Sequence, residues 1–229
     1  MAEISELTGR PVIIGGGAAG LATALALAPE PVVLLSRAPL GEGTSSAWAQ
    51  DGMAATLSQD DDPQLHFEDT IAAGDGLCQP EVVRAIVEAA PAAIEALADL
   101  GVAFDGTGDG KFRLVLEAAH QRSRIVHAGG DGTGRELMRA LIAAALRTPS
   151  INVLAPFEAC RLLVEDNAIV GVIAATRSRL VKLRTARVVL ATGGIGGLFD
   201  ETTNPLSCFG QGLVLAARAR RSVERMLAT

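Results

Sequence analysis

The sequence predicts an α/β fold with three layers, in which a parallel sheet is joined by a β-meander. Three observations support this prediction. An apolar run, a glycine cluster and an Ala- and Leu-rich segment follow one another over residues 11–28, and a second apolar run at Val32–Leu35 completes a βαβ unit. Short strand-like runs fill residues 153–186. A last apolar run at residues 187–191 leads into Thr192-Gly193-Gly194.

The composition excludes a disordered chain and disfavours a nucleic-acid-binding protein. With 229 residues, of which 49% are hydrophobic and 20% charged, the chain can form one large domain with a sizeable core and is not disordered. Aromatic residues make up 3% and tyrosine is absent, which disfavours a base-stacking surface. The net charge of −6 disfavours a general polyanion binder, so we expect no nucleic-acid partner.

Cysteines and the N-terminal segment indicate the compartment. Cys78, Cys160 and Cys208 are far apart and fit neither a zinc motif nor a disulfide framework, so we expect reduced thiols and no metal site. Residues 1–10 contain no apolar stretch typical of a signal peptide. The uncharged stretch 11–29 is too rich in glycine for one continuous membrane-spanning helix. We therefore expect a cytoplasmic chain with no membrane partner.

The first βαβ unit follows from local patterns. Pro11–Ile14 is short and apolar, which is typical of a buried strand. The glycine cluster Gly15–Gly20 turns the chain, and Leu21–Ala28 consists of strong helix formers that Pro29 ends. Val32–Leu35 then predicts a parallel strand.

The middle of the chain predicts a loop and several helices. Residues 37–62 contain several glycines and predict a long loop, in which the acidic run Asp60–Asp62 is solvated. Residues 80–100 predict two helices, the second of which begins at Pro91. Residues 134–147 predict a helix with one apolar face for core packing.

Residues after 150 predict mostly strands. Asp166-Asn167 and Ser178 supply turn residues between apolar runs, which indicates a β-meander. Another apolar strand returns at Arg187–Ala191, and a helix is predicted over residues 211–228. The four strands predicted for the meander region are Val153–Ala155, Cys160–Glu165, Ile169–Thr176 and Val181–Ala186.

The glycine cluster has the spacing of a dinucleotide-binding loop. Gly15-x-Gly17-x-x-Gly20 lies between a predicted strand and a predicted helix. In such a loop the first glycine makes a tight turn, the second lets the backbone approach a pyrophosphate, and the third lets helix and strand pack closely. The helix N-terminus then binds the phosphates. The alternative is a glycine-rich turn that binds nothing.

The end of the second strand departs from the NAD-binding pattern. That pattern places Asp or Glu there to bind the ribose. Here the strand is followed by Ser36, which offers a hydroxyl, and Arg37, which offers a cation for a phosphate or the adenine face. An ordinary strand end is the alternative. The missing acid weakens an NAD-dehydrogenase interpretation.

Several motifs together resemble one family. A βαβ unit, a β-meander and a late strand ending in Ala-Thr-Gly have the order seen in FAD-binding proteins. With the motifs below, the chain resembles the L-aspartate oxidase family, in the flavoprotein group that contains the succinate dehydrogenase and fumarate reductase flavoprotein subunits. The motifs are Gly15–Gly20, Ser45–Gly52, His66–Thr70, Glu117–His120, Arg124–Ala128, Asp131–Gly134, Ala191–Gly194 and Thr202–Pro205.

The resemblance implies a Rossmann-like FAD/NAD(P)-binding domain over residues 1–229, with FAD as cofactor. The succinate and fumarate enzymes bond FAD covalently through a histidine that corresponds to Ser45 here, which implies non-covalent FAD. The residues implied to bind FAD are Gly15, Gly16, Gly17, Ala18, Ala19, Gly20, Ser36, Arg37, Ser45, Ser46, Ala47, Trp48, Ala49, Gln50, Asp51, Gly52, Thr192, Gly193, Gly194 and Gln211.

The resemblance also implies a reaction. The family oxidises L-aspartate to iminoaspartate with O2 or fumarate as acceptor, in NAD biosynthesis, with a functional link to quinolinate synthase. Glu117 is implied to bind the substrate ammonium, whereas the residues alone favour a solvated surface glutamate. His120 is either catalytic or a hydrogen-bonded, partly buried imidazole. His127 and His66 are expected to be structural.

Some features depart from the family pattern. Family members are much longer and continue into a capping domain and a C-terminal FAD segment, so we expect a truncated chain that is weak or inactive alone. The alternatives are a non-catalytic FAD- or ADP-binding module, or a remnant that needs a separate C-terminal half. A family glycine is Asp51 here, and a family aspartate is Gln211. Residues 220–225 do not continue the family pattern.

Overall fold

The computed structural model describes residues 2–219, which form two compact units. Of these residues, unit 1 contains 2–48 and 141–219, and unit 2 contains 49–140. In chain order the strands and helices are β1 (Ala2–Glu3), β2 (Val12–Ile14), α1 (Ala18–Ala26), β3 (Val32–Leu35), α2 (Ser45–Trp48), β4 (Met53–Ala54), α3 (Pro63–Ala73), α4 (Pro80–Asp99), β5 (Leu114–Val115), β6 (Ile125–Val126), α5 (Thr133–Arg147), β7 (Ile151–Leu154), β8 (Glu158–Glu165), β9 (Ala168–Ala175), β10 (Leu180–Arg184), β11 (Val188–Leu190) and α6 (Gln211–Arg218).

Unit 1 is built on a four-stranded parallel sheet. The strand order is β11-β2-β3-β7, and all three pairings are parallel. Every residue of β2 and β3 is buried, as expected for parallel strands that are covered on both faces. Helix α1 packs on these two strands and buries Leu21 and Ala24 completely. The predicted βαβ unit is confirmed.

The β-meander covers the sheet face opposite α1. Side chains alternate between the two faces of a strand, so Val12 and Ile14 share one face of β2. These residues belong to one core with Val172 of β9 and with Val181 and Leu183 of β10. Meander, parallel sheet and α1 are therefore stacked in that order, which confirms the predicted three-layer α/β fold.

The meander strands pair in the order β10-β9-β8, all antiparallel, and β1 adds a parallel edge strand beside β10. Asp166 and Asn167 join β8 to β9 with φ angles of 45° and 59°. Two successive positive φ angles match the twist of a two-residue hairpin, which explains the Asp-Asn pair. The predicted turn is confirmed.

One predicted meander strand belongs to the other sheet. The run predicted at Val153–Ala155 forms β7, which pairs in parallel with β3 from Val32↔Ile151 to Leu35↔Leu154. The prediction grouped β7 with the meander because it is close to β8 in the sequence. Its partner β3 lies more than a hundred residues earlier in the sequence. A pattern of neighbouring residues cannot predict a pairing over that distance.

Unit 2 combines a small antiparallel sheet with helices. The strand order is β4-β6-β5, and α3 packs on α4. Helix α3 was not predicted from the sequence, although Asp62 caps it by accepting hydrogen bonds from the backbone N–H groups of Gln64 at 2.7 Å and Leu65 at 3.0 Å. An N-cap aspartate followed by Pro63 is a common start of a helix.

The prediction of a continuous loop over residues 37–62 is partly wrong. This segment contains the short helix α2 and the strand β4. The strand exists because Met53 pairs with Val126 and Ala54 with Ile125 of β6. A two-residue strand has no sequence pattern of its own, and its partner decides whether it forms.

Residues 80–99 form one helix, so the prediction of a second helix starting at Pro91 is wrong. Proline lacks the N–H group that would bond to the carbonyl oxygen of Val87. The helix continues through this position because Val83, Val87 and Ile94 are buried along it. Burial of that apolar face outweighs one missing hydrogen bond.

Two other predicted helices are present in the described residues. The helix predicted over 134–147 is confirmed as α5, with Leu141 and Ala145 buried. The helix predicted over 211–228 is confirmed as α6 for residues 211–218, and residues 220–228 lie outside the described residues. Within residues 2–219, no helix has both the length and the apolarity needed to cross a membrane.

Glu136, in the first turn of α5, makes the stability of the fold sensitive to acid. Its carboxylate pairs with Arg139 at 2.7 Å and accepts a hydrogen bond from the Ala103 N–H at 2.9 Å. Hydrogen bonding to Arg139 lowers the pKa of Glu136 from 4.5 to about 2. A carboxyl group with a lowered pKa stabilises the fold above its unfolded pKa, and this contribution disappears as the pH falls from 4.5 towards 2.

Unfolding by urea as a function of pH tests this assignment. We expect Glu136→Gln to lose less stability than the wild-type chain as the pH falls through this interval. Glu88→Gln, on an exposed position of α4, is the matched control and should follow the wild-type curve. Parallel curves for wild type and Glu136→Gln would contradict the assignment.

Candidate functional site

In unit 1 the glycine cluster lies between β2 and α1. At two of its positions, backbone atoms leave no space for a side chain. Gly15 has a φ angle of +130°, and a Cβ atom on it would lie 2.0 Å from the carbonyl oxygen of Ala191. A Cβ atom on Gly20 would lie 1.9 Å from the carbonyl oxygen of Gly15. The first and third glycines of the predicted loop therefore have the steric roles that the sequence predicted.

The N-terminus of α1 faces the same loop. Gly17 is the N-cap residue and, as a glycine, has no side chain of its own to cap the helix. The Ala18 N–H donates to Ser46 Oγ at 3.2 Å, and Ala19 follows in the same turn. The first turn of a helix presents backbone N–H groups and the positive end of its dipole, which together favour an anion.

Ser36 and Arg37 follow β3 beside the glycine loop. A Cβ atom on Gly16 would lie 2.5 Å from Ser36 Oγ, so the loop and this serine are in direct contact. Ser36 is buried, and its hydroxyl donates to the Ala38 carbonyl oxygen at 2.7 Å. Arg37 donates to the carbonyl oxygen of Ser207 at 3.1 Å, and its guanidinium lies 5.2 Å from the centre of the Phe209 ring.

Helix α2 carries four of the predicted cofactor residues, Ser45, Ser46, Ala47 and Trp48. Ser45 Oγ donates to Asn204 Oδ1 at 2.9 Å and lies 3.2 Å from Cys208 Sγ. Ser46 accepts from α1 as described above. Trp48 is 56% exposed, so it is not a packing residue of unit 1.

The second glycine element follows β11. Gly193 has a φ angle of +74°, which favours glycine, and Gly194 has open space around it. A Cβ atom on Gly212 would lie 2.1 Å from Thr192 Oγ1, so this element contacts the start of α6. Gln211, also at that start, donates from Nε2 to Glu158 Oε1 and to the Ala159 carbonyl oxygen, both at 2.9 Å. Its amide N–H groups therefore bind the meander.

In unit 2 the segment 49–52 borders a cavity of about 520 Å³. Ala49 accepts a hydrogen bond from the Gly134 N–H at 3.0 Å. Gln50 and Asp51 line the cavity together with Asp105, Arg113, Val115, His127, Gly130 and Asp131. Asp51 is exposed and is not among the positive-φ residues of the described chain, so its carboxylate is solvated and its backbone is unstrained.

Glu117 and His127 form a pair in unit 2. His127 Nε2 lies 2.9 Å from Glu117 Oε1, and the two side chains are 19% and 37% exposed. Glu117 is therefore not a freely solvated glutamate. His127 is a partly buried, hydrogen-bonded imidazole, as the sequence predicted, and it also lines the cavity beside Gln50.

Arg124 is completely buried, and its role was not predicted from the sequence. Its guanidinium binds both carboxylate oxygens of Asp61 at 2.8 Å and Oδ2 of Asp69 at 2.8 Å. The prediction of a solvated acidic run is therefore wrong for Asp61, whose side chain is completely buried. Burial of an arginine requires paired anions, and an arginine in the sequence gives no signal of burial.

This network also holds the segment that carries His120. Asp69 accepts hydrogen bonds from the backbone N–H of Gln121 at 3.0 Å and from its Nε2 at 2.8 Å. Burial alone would raise the pKa of Asp69, but hydrogen bonds from Gln121 and Arg124 hold it below its usual value. Arg124 Nη1 lies 3.3 Å from Nδ1 of His120.

His66 packs beside His120, with ring centres 5.7 Å apart. Burial and the nearby Arg124 cation lower the pKa of His66, so this imidazole is neutral near pH 7. His66 is structural in this arrangement. Because a guanidinium only donates, His120 accepts through Nδ1, which makes it a hydrogen-bonded imidazole of the Arg124 network.

Within residues 2–219, no group of three or more His, Cys, Asp or Glu side chains is placed to hold a metal ion. Cys78, Cys160 and Cys208 are free thiols.

Known proteins with similar sequences show the family of this chain. The sequence profile described as "FAD binding domain" matches residues 10–228. The chain is 58% identical to L-aspartate oxidase of Mesorhizobium japonicum over 95% of its length and 42% of that protein. It is 50% identical to L-aspartate oxidase of Xylella fastidiosa over 96% of its length and 43% of that protein.

The fold is also similar to solved structures. An E. coli quinol fumarate reductase chain superposes with a TM-score of 0.88 and 28% identity, over 95% of this chain and 37% of that one. The chain thus spans less than half the length of the relatives that it matches.

Proposed function

We propose, because this chain belongs to the FAD binding domain family, that it supplies the FAD-binding part of an L-aspartate oxidase. FAD is the cofactor of this family. The observation that carries the proposal is the identity to L-aspartate oxidases along nearly the whole described chain. The proposed reaction is the oxidation of L-aspartate to iminoaspartate.

The residues of unit 1 fit the phosphate part of FAD. Side chains are excluded at Gly15 and Gly20, and the N-cap residue Gly17 has no side chain to cap α1, although Ser46 Oγ accepts the Ala18 N–H. A pyrophosphate needs both features, because its oxygens accept hydrogen bonds from exposed backbone N–H groups. Ser36 and Arg37 are proposed to bind the adenosine part, and Thr192–Gly194 to complete the site.

Residues of two segments are proposed to decide how FAD is bound. Serine cannot form the histidyl bond of the covalent flavoproteins, so Ser45 supports non-covalent binding. Gln50 and Gly52 are proposed to lie against the isoalloxazine ring, where backbone N–H donors stabilise negative charge.

The proposed chemistry uses few residues of this chain. Bound FAD would supply the acceptor for a hydride from Cα of the substrate, while the substrate nitrogen would release a proton to solvent to complete the imine. Glu117 holds the substrate ammonium through a charge-assisted hydrogen bond, which orients Cα. His120, which is bound to Arg124, is proposed to position the segment that carries Glu117.

Partners and compartment follow from this reaction. The proposed small-molecule partners are L-aspartate and fumarate, the latter as an electron acceptor beside O2. Iminoaspartate would pass to quinolinate synthase in NAD biosynthesis. The three free thiols support a reducing compartment, and we place the chain in the cytoplasm.

A second candidate function is FAD or ADP binding without turnover. This candidate needs only the glycine loop and the N-terminus of α1, which lie within unit 1 and include no residue that is proposed to bind substrate. If the chain binds FAD or ADP without turnover, Glu117 has no catalytic role.

Titration of the purified chain with FAD, followed by addition of L-aspartate without oxygen, separates the two. We expect at most one FAD per chain, bound weakly, and a weak change of the flavin absorption with L-aspartate that D-aspartate does not produce. Glu117→Gln is the matched variant and should bind FAD equally but lose the response. FAD binding without any response to L-aspartate would support the second candidate, and absence of FAD binding would reject both.

A further inference from the structure

His127 donates the side-chain hydrogen bond that holds the Glu117 carboxylate. The distance from Nε2 to Oε1 is 2.9 Å. An ionised carboxylate only accepts, so this contact places a proton on Nε2 and makes the imidazole the donor. The bond uses Oε1 and leaves the acceptor capacity of Oε2 for a second donor.

The imidazole is itself held in position. His127 directly follows β6, and its carbonyl oxygen accepts a hydrogen bond from the Asp105 N–H at 2.8 Å. A Cβ atom on Gly52 would lie 3.0 Å from Nε2 and 2.3 Å from Ile125 Cγ2. Glycine at position 52 therefore leaves the room that the ring occupies, and His127 contacts both this segment and Glu117.

His127 of this pair lines a cavity that can accept a small ligand. The cavity of about 520 Å³ is lined by His127, by Gln50 of the predicted flavin segment and by the Arg113 cation. Ligand cavities are typically about 300–1,000 Å³. Arg113 in the lining offers a partner for a ligand carboxylate, and Glu117, which is bonded to the lining residue His127, offers one for a ligand ammonium.

We propose that His127 is a positioning residue that acts through Glu117 and sets a preference for ligands with an α-ammonium group over the corresponding dicarboxylates without one. The inference rests on the proposed function, because that function assigns the ammonium to Glu117. A carboxylate held in one orientation loses less conformational entropy when the ammonium binds. A dicarboxylate without an ammonium group gains nothing from this orientation.

Binding of ligands that cannot react tests this directly. 2-Methyl-L-aspartate carries the ammonium but has no hydrogen on Cα, and 2-methylsuccinate is its match without the ammonium. Calorimetric titration of the FAD-loaded chain gives both dissociation constants. We expect His127→Ala to weaken binding of 2-methyl-L-aspartate by about 10-fold, near the lower end of the effect of one hydrogen bond to a charged group. Binding of 2-methylsuccinate should be unchanged.

A conservative variant and a double variant complete the experiment. The glutamine amide reaches about as far as Nε2 and can donate, so His127→Gln should restore most of the affinity. If His127 acts through Glu117, His127→Ala in a Glu117→Gln background should cause no further loss.

The outcomes separate this inference from the proposed function. A wild-type chain that binds FAD but not 2-methyl-L-aspartate rejects the proposed function, and this inference with it. A wild-type chain that binds both ligands, with equal effects of His127→Ala on the two, rejects the inference alone. So does failure of His127→Gln to restore affinity while its FAD binding is unchanged.

Discussion

Replacement of Arg124 by methionine is expected to destabilise the chain by about 3–5 kcal/mol, the usual effect of removing one partner from a buried ion pair. Asp61 and Asp69 would then lose the cation that neutralises them, and the Asp61 side chain has no exposure to water. The change also removes the contact to His120. Urea unfolding followed by circular dichroism measures the loss directly.

Arg122→Met is the matched control, because Arg122 is exposed and donates only to backbone carbonyl oxygens. We expect it to change stability by less than about 0.5 kcal/mol, as for most surface substitutions. A variant that combines Arg124→Met with Asp61→Asn and Asp69→Asn should recover part of the loss, since no buried charge remains unpaired. Equal stability of Arg124→Met and Arg122→Met would show that the network contributes little.

Gly20→Ala is expected to abolish FAD binding and to destabilise unit 1. The added Cβ would lie 1.9 Å from the Gly15 carbonyl oxygen, far inside van der Waals contact. Because that atom belongs to the backbone of the loop, relief requires α1 to move away from β2. Overpacking of this kind costs about 1–3 kcal/mol, and it displaces the N–H groups proposed to bind the pyrophosphate.

Fluorescence titration with FAD and urea unfolding measure the two effects separately. Gly108→Ala is the control, because Gly108 has open space around it and no positive φ angle. It should leave FAD affinity unchanged and stability within about 0.5 kcal/mol of wild type. Unaltered FAD affinity in a folded Gly20→Ala chain would show that the glycine loop does not bind the cofactor.

The parts of the fold that were predicted correctly have local causes. The glycine spacing of Gly15–Gly20 between an apolar strand and a helix predicted the βαβ unit, because sterics around single residues decide that geometry. The hairpin at Asp166-Asn167 was predicted for the same reason. The family motifs added the candidate site residues, including Glu117.

The parts that were missed depend on partners distant in the sequence. Pro91 looked like a helix start because proline is tolerated there, and only burial of Val87 and Ile94 shows that the helix runs through it. Strand β7 looked like part of the meander until its pairing with β3 was known. Asp61 looked solvated within an acidic run, although the buried Arg124 binds it.

By itself, the sequence determined the α/β class, the glycine loop before α1 and the similarity to FAD-binding proteins. These features depend on residue size, backbone freedom and apolar periodicity, which act over a few neighbouring positions. Only the tertiary structure decided that Arg124 is buried between two aspartates and that His127 holds Glu117. Ion pairs and hydrogen bonds form between side chains that the fold brings together. Their strength depends on how deeply these side chains are buried, which cannot be predicted from one position in the sequence.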